Sequence, residues 1–118
     1  MFVGNAGTPQ GRLQRALQIG DPLTAITAAG DCKRLVLDDA LALALLLLRA
    51  DDARGGRAVA RAVGRYALEL PRVDLAELAL LVSGFERLAT GGSDLGLRLL
   101  LDRRGLPSAQ EQLDRWSR

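Results

Sequence analysis

The sequence contains no histidine, which removes the side chain that most often serves as a general base or a metal ligand. Cys32 is the single cysteine, and without an imidazole to activate it we expect an unreactive thiol at a helix junction. One cysteine also excludes an intramolecular disulfide, so a reducing compartment is the default. No set of nucleophile, base and orienting group can be assembled from the other residues. The sequence therefore predicts a protein that is not an enzyme and that uses no cofactor and no metal ion.

Aromatic residues are scarce, at 3% of the chain, and β-branched residues are few. Leu and Ala dominate instead, and this balance favours helix over strand. The 118 residues are enough for one domain with a buried core and too few for two. The composition therefore predicts a single all-α domain.

The chain has no apolar stretch of the length that a membrane span or a secretory signal requires. Its first ten residues, MFVGNAGTPQ, lack both a basic leader and an apolar region. The longest apolar run, Ala40–Leu48, is shorter than the about 20 residues needed to cross a bilayer. We expect a cytoplasmic protein with no membrane partner.

The same run consists only of Ala and Leu, so a helix here is apolar on all sides and has to be enclosed by other helices. Asp38 and Asp39 precede it, and Asp51 and Asp52 follow it. On a helix with a rise of about 1.5 Å per residue the two acidic pairs lie about 20 Å apart, too far for one acid–base pair or one metal site. We interpret them as groups that cap helices and keep their ends in water.

Capping residues, prolines and glycines divide the rest of the chain into helices. Thr8-Pro9 and Asp21-Pro22 begin two short helices, and Leu23 in the second is predicted to face inward. Further helices are predicted over 37–50, 52–70, 75–90 and 94–104, followed by a short terminal helix, with capping boxes formed by Asp74 with Glu77 and by Ser108 with Glu111. Gly56 and Gly84 are predicted to allow close helix crossings. The expected fold is a compact bundle of about five principal helices plus short terminal helices over 8–118, preceded by a flexible N-terminal tail over 1–7.

Two stretches have similar patterns at a separation of 38 residues, namely 35–39 (LVLDD) and 73–77 (VDLAE). Both open a long apolar helix, which predicts two helical-hairpin repeats, although a solenoid normally needs about three units. An irregular bundle is the alternative.

The order of motifs over about residues 12–90 is L-x-L-x-D-A-L, an apolar run, D-D, R-x-x-R-A-V-x-R, E-L-P and V-D-L-A-E. It resembles small all-helical proteins of unknown function from GC-rich bacteria. The resemblance implies a helical-hairpin fold and supplies no activity, cofactor or site.

A row of arginines lies on one face of the 52–70 helix, opposite its apolar face. The row consists of Arg54, Arg57, Arg61 and Arg65, and Glu69 is the only interleaved acid. Such a face could follow a nucleic-acid backbone or meet an acidic protein surface. A face that is merely solvated is the third interpretation. Stacking on single strands is not expected, because aromatic residues are so few.

The fifth and sixth helices are predicted to leave part of their apolar surface uncovered, because little sequence follows them. The candidate interface residues are Leu80, Leu81, Leu95, Leu99 and Leu100. An uncovered apolar patch usually marks a protein interface. We therefore expect a non-enzymatic helical protein–protein interaction module, an adaptor or regulatory subunit that binds a protein partner or itself. Nucleic-acid binding through the arginine face is the alternative.

Overall fold

The computed structural model describes residues 7–117, and within them the chain forms helices joined by short segments, with no strand. The helices are α1 (Pro9–Ile19), α2 (Pro22–Asp31), α3 (Leu37–Arg49), α4 (Gly55–Glu69), α5 (Leu75–Ala89), α6 (Leu95–Arg104) and α7 (Pro107–Asp114), followed by a 3₁₀ turn at Arg115–Ser117. The predicted all-α fold is confirmed. The tail predicted over 1–7 lies outside the described residues except for Gly7.

Several helix ends follow from local chemistry. The Thr8 hydroxyl accepts a hydrogen bond from the Gly11 N–H at 3.0 Å and caps α1. Gly20 ends α1 in the left-handed conformation, at φ 83°, which favours glycine. The helix predicted from residue 52 begins only at Gly55, because Asp52 accepts a hydrogen bond from the Arg54 N–H at 2.9 Å and closes a turn before the helix.

α3 is the central helix, and it buries two faces in two separate apolar clusters. Leu41 and Leu45 lie in a cluster with residues of α4, α5, α6 and α7. Ala42 and Leu46 lie in a second cluster with residues of α1 and α2. All four side chains are at most 1% exposed. This two-sided burial explains why the sequence of α3 is apolar on all sides, and the predicted enclosure is confirmed.

The Asp38 carboxylate, in the first turn of α3, caps a different helix from its own. It accepts hydrogen bonds from the backbone N–H groups of Ser108 and Ala109, each at 2.9 Å, at the N-terminus of α7. The predicted capping box of Ser108 with Glu111 is therefore wrong, since α7 begins earlier, at Pro107, and its free N–H groups are satisfied by a carboxylate distant in sequence.

Asp39 attaches the N-terminal hairpin to α3. Its carboxylate accepts hydrogen bonds from Gln10 Nε2 at 2.7 Å and Gln14 Nε2 at 2.9 Å, and the residue is only 2% exposed. The two acids expected to cap α3 thus join it to both ends of the described chain. α3 itself has no side-chain cap.

The α5–α6 hairpin is closely packed because α5 carries a glycine at the crossing. A Cβ atom on Gly84 would lie 2.9 Å from the Leu97 Cβ atom, so only glycine fits without a shift. The close approach predicted at Gly84 is confirmed. The one predicted at Gly56 is wrong, because that residue is exposed with nothing near its Cβ position and the neighbouring Gly55 packs on Leu48 instead.

Candidate interaction surfaces

Three of the predicted interface leucines form an exposed patch on the α5–α6 hairpin. Leu80, Leu95 and Leu99 are 43%, 61% and 60% exposed. Leu95 and Leu99 are one helical turn apart, so they share a face of α6. Leu80 reaches that helix at Gly96, where a Cβ atom would lie 3.0 Å from Leu80 Cδ1. We call these three residues the leucine patch.

The other two predicted interface leucines lie in the core. Leu81 is fully buried and Leu100 is 4% exposed, both in the larger apolar cluster. Leu81 shares the inward face of α5 with Phe85, four residues later, and Leu100 shares that of α6 with Leu97, three residues earlier. Their predicted exposure is therefore wrong. Leu23, predicted to face inward, is 63% exposed, since the small residues of α2 form its buried face instead.

The arginine row is interrupted by acids at both ends. Arg54 donates from Nε and NH2 to the two carboxylate oxygens of Asp52, each at 2.9 Å, and this pairing lowers the pKa of Asp52 to about 2. Arg65 forms the equivalent two-bond contact with Glu69. Arg57 and Arg61 are exposed, and among the described residues neither has an acidic partner.

A groove runs between α2 and α4, with α3 as its floor. We call it the α2–α4 groove; its cavity volume is about 320 Å³. Most of the lining is apolar and small, including Ile26, Ala29 and Gly30 from α2, Leu43 from α3, and Ala58 and Ala62 from α4. Arg61 and Arg65 complete the lining on the α4 side. The sequence pattern did not reveal this groove, because its walls come from helices that are distant in the chain.

Tyr66, Glu77 and Arg104 form a charged cluster that joins α4, α5 and α6. Arg104 donates from Nε and NH2 to the two Glu77 carboxylate oxygens, each at 2.7 Å, and the Tyr66 hydroxyl donates to the same carboxylate. A third donor of Arg104 contacts the Pro71 carbonyl at 3.0 Å. Glu77 does not complete the predicted capping box, because its carboxylate is taken by Arg104, although its N–H does donate to Asp74 at 2.8 Å.

The pKa values of this cluster do not suit acid–base catalysis. Hydrogen bonds from Arg104 lower the pKa of Glu77 to about 2. Burial, together with the Glu77 carboxylate, raises the pKa of Tyr66 to about 12. Glu77 therefore stays ionised and Tyr66 stays protonated near neutral pH, whereas a general acid or base needs a pKa near the working pH. The cluster is suited to holding three helices together.

Cys32 is half-buried at the end of α2, where its thiol donates to the Ala28 carbonyl at 3.3 Å. Within residues 7–117, no group of three or more Cys, Asp and Glu side chains is placed to hold a metal ion. None of the helices in that range has the length and apolar character of a membrane span.

Comparison with protein-family models, with curated proteins and with solved structures finds no match to this chain. Its function therefore has to be inferred from the geometry and chemistry of its own surfaces.

Proposed function

We propose that this protein is a non-enzymatic helical interaction module, an adaptor or regulatory subunit, that binds a protein surface through the leucine patch. The observation that supports this is the exposure of Leu80, Leu95 and Leu99 together on one closely packed hairpin. Clustered apolar side chains on a folded surface usually mark an interface, whereas single exposed leucines are ordinary. The surface they meet is a second copy of this chain or another protein. The single cysteine agrees with a reducing, cytoplasmic location.

We also propose that the bundle contains two copies of a helical hairpin, α3–α4 and α5–α6. Asp39 and Glu77 are each the third residue of the first helix in their hairpin, and each carboxylate accepts hydrogen bonds from side chains of other helices. The copies differ two residues earlier, at the first residue of each helix, since Leu37 is 7% exposed and Leu75 is 84% exposed. A face that is covered in the first copy and open in the last is typical of stacked repeats.

Leu99→Arg is expected to abolish self-association, or the binding of any protein that co-purifies with the wild type, without unfolding the chain. The substitution places a charge at the centre of the proposed interface, yet the residue is 60% exposed, so stability should change by about 0.5 kcal/mol or less. Light scattering over a concentration series, with affinity purification and thermal melts, measures both effects.

Leu23→Arg is the matched control, because Leu23 has almost the same exposure, 63%, but belongs to α2 and not to the leucine patch. It should leave association unchanged. A wild-type protein that stays monomeric at high concentration and recovers no partner would contradict the proposal, as would equal losses in the two variants.

Nucleic-acid binding through the arginine face is the second candidate, and the two unpaired arginines are the observation that favours it. If only Arg57 and Arg61 neutralise phosphates, the affinity for duplex DNA should fall with salt at a log–log slope of about −2, rather than the −3 to −4 of four free arginines. Filter binding across a salt series measures this slope, and the double variant Arg57→Ala, Arg61→Ala should not bind. Absence of DNA and RNA binding by the wild type at low salt would rule this candidate out.

A further inference from the structure

The α2–α4 groove has room between its two helical walls for one face of a further helix. α2 and α4 both pack on α3 and form two walls, with the half-buried Leu43 of α3 at the floor between them. The walls are built largely from Ala29, Gly30, Ala58 and Ala62, whose small side chains leave the groove concave. Its volume of about 320 Å³ lies at the lower end of the range of ligand pockets, roughly 300–1,000 Å³. A few large apolar side chains from one face of a helix would fill it, which is the helix-in-groove mode of recognition.

The α4 rim of the groove is positively charged along its length. Arg61 and Arg65 line the groove, and Arg57 lies one helical turn before Arg61 on the same side of α4, so the three arginines extend over about 12 Å of the helix. Glu69 is the acid at this rim, and hydrogen bonds from Arg65, with the nearby charge of Arg34, lower its pKa. Its charge is thus already matched, whereas Arg57 and Arg61 are not.

We propose that the α2–α4 groove binds an acidic amphipathic helix of a partner protein, with apolar side chains in the groove and Asp or Glu side chains on Arg57 and Arg61. A ligand with a single carboxylate would engage only one of these arginines, so the length of the rim favours an extended partner. A nucleic acid would place its phosphates on the arginines but would leave the apolar floor uncovered. This site is separate from the leucine patch on α5 and α6, so the two proposals can fail independently.

A display library of random peptides about 15 residues long, or roughly four helical turns, selected on the intact protein would test the proposal. We expect the enriched peptides to carry apolar residues at i, i+3, i+4 and i+7 with acids along one edge. The affinity of the best peptide is then measured by fluorescence anisotropy. Arg61→Glu should weaken this affinity by about tenfold or more, because the attraction between Arg61 and the acids of the peptide becomes a repulsion between like charges.

Gly30→Leu tests the groove itself. The Cβ position of Gly30 has nothing within 4 Å, so a leucine there fits the fold, favours the helix and occupies the space that the partner needs. We expect a loss of about tenfold or more in affinity. Gly56→Leu is the matched control, since Gly56 is also helical and exposed with nothing within 4 Å, but lies outside the groove and on a different face of α4 from Arg61. Arg15→Glu on α1 is the charge control, and neither control should alter binding.

Three results would overturn the proposal. These are a selection that enriches no peptides, enriched peptides without an acidic edge, and binding that survives Gly30→Leu. If the binding that survives Gly30→Leu is lost in Leu99→Arg, the peptide is assigned to the leucine patch and supports the proposed function instead. Duplex DNA that binds Gly30→Leu as well as wild type, but not Arg61→Glu, would assign the arginines to nucleic acid.

Discussion

Leu45→Asp and Leu46→Asp are each expected to unfold the protein. Leu45 is fully buried against α4–α7 and Leu46 is 1% exposed against α1 and α2, so the two variants place a charge in the two different clusters. An unpaired buried charge costs several kcal/mol, which is comparable to the total free energy of unfolding of a small domain, about 5–15 kcal/mol. Far-UV circular dichroism with thermal melts measures the outcome.

Leu23→Asp provides the control for these two variants. It makes the same change at a position that is 63% exposed in the first turn of α2, where an acid is favourable, so a wild-type melt is expected. Wild-type melts for Leu45→Asp and Leu46→Asp would show that α3 is not the centre of the fold.

Glu77→Gln is expected to lower the free energy of unfolding at neutral pH by about 3 kcal/mol. The pKa of Glu77 falls from 4.5 to about 2 on folding, and one pKa unit corresponds to about 1.4 kcal/mol. Because the folded-state pKa is the lower one, this contribution is fully present above pH 4.5 and is lost as the pH falls towards 2. Urea unfolding over this pH range should show the difference in free energy of unfolding between wild type and variant disappear as the pH falls. The other carboxyl groups do not contribute to this difference, because they titrate in both proteins.

Glu69→Gln is the matched control, because Arg65 contacts Glu69 with the same two-bond geometry on the surface. The side chain of Glu69 is 45% exposed, against 11% for Glu77. An exposed ion pair contributes about 1 kcal/mol or less, so the Glu69 variant should lose much less stability. Equal losses of stability in the two variants, or a loss in Glu77→Gln that does not depend on pH, would contradict the role assigned to the buried cluster.

The helices could be predicted from the sequence where local chemistry sets them. Thr8, Asp21 and Asp74 each cap the helix that follows them, and Gly20 and Gly105 end helices with positive φ. The central position of α3 could also be predicted, because a helix that is apolar on every side has only buried positions to occupy.

The covered faces of the other helices could not be predicted in the same way. α6 carries leucines all around its circumference, so its periodicity does not separate buried Leu100 from exposed Leu99. Leu23 is apolar and is therefore predicted to face inward, yet α2 is close enough to α3 to bury Ala25 and Ala28 instead. Which leucine is left outside depends on the packing of neighbouring helices, and that information is not local.

The polar contacts that hold the helices together could not be predicted for a related reason. Glu77 meets Arg104, 27 residues later, and Asp38 meets Ser108, 70 residues later. From the sequence both acids look like ordinary helix-start residues. Spacing alone predicts a row of four free arginines, whereas Arg54 and Arg65 are paired with acids, and such two-bond pairings depend on side-chain geometry that spacing does not fix.

Methyl NMR of the leucines over a dilution series, and then with any co-purifying protein, tests the proposed interaction module most directly. The methyl resonances of Leu80, Leu95 and Leu99 are predicted to shift with concentration or with partner. Those of Leu23 and Leu68, which are 63% and 87% exposed outside the patch, are predicted to stay unchanged. Patch resonances that remain fixed under every condition, or that shift no more than those of Leu23 and Leu68, would contradict the assignment of this surface as the protein's interface.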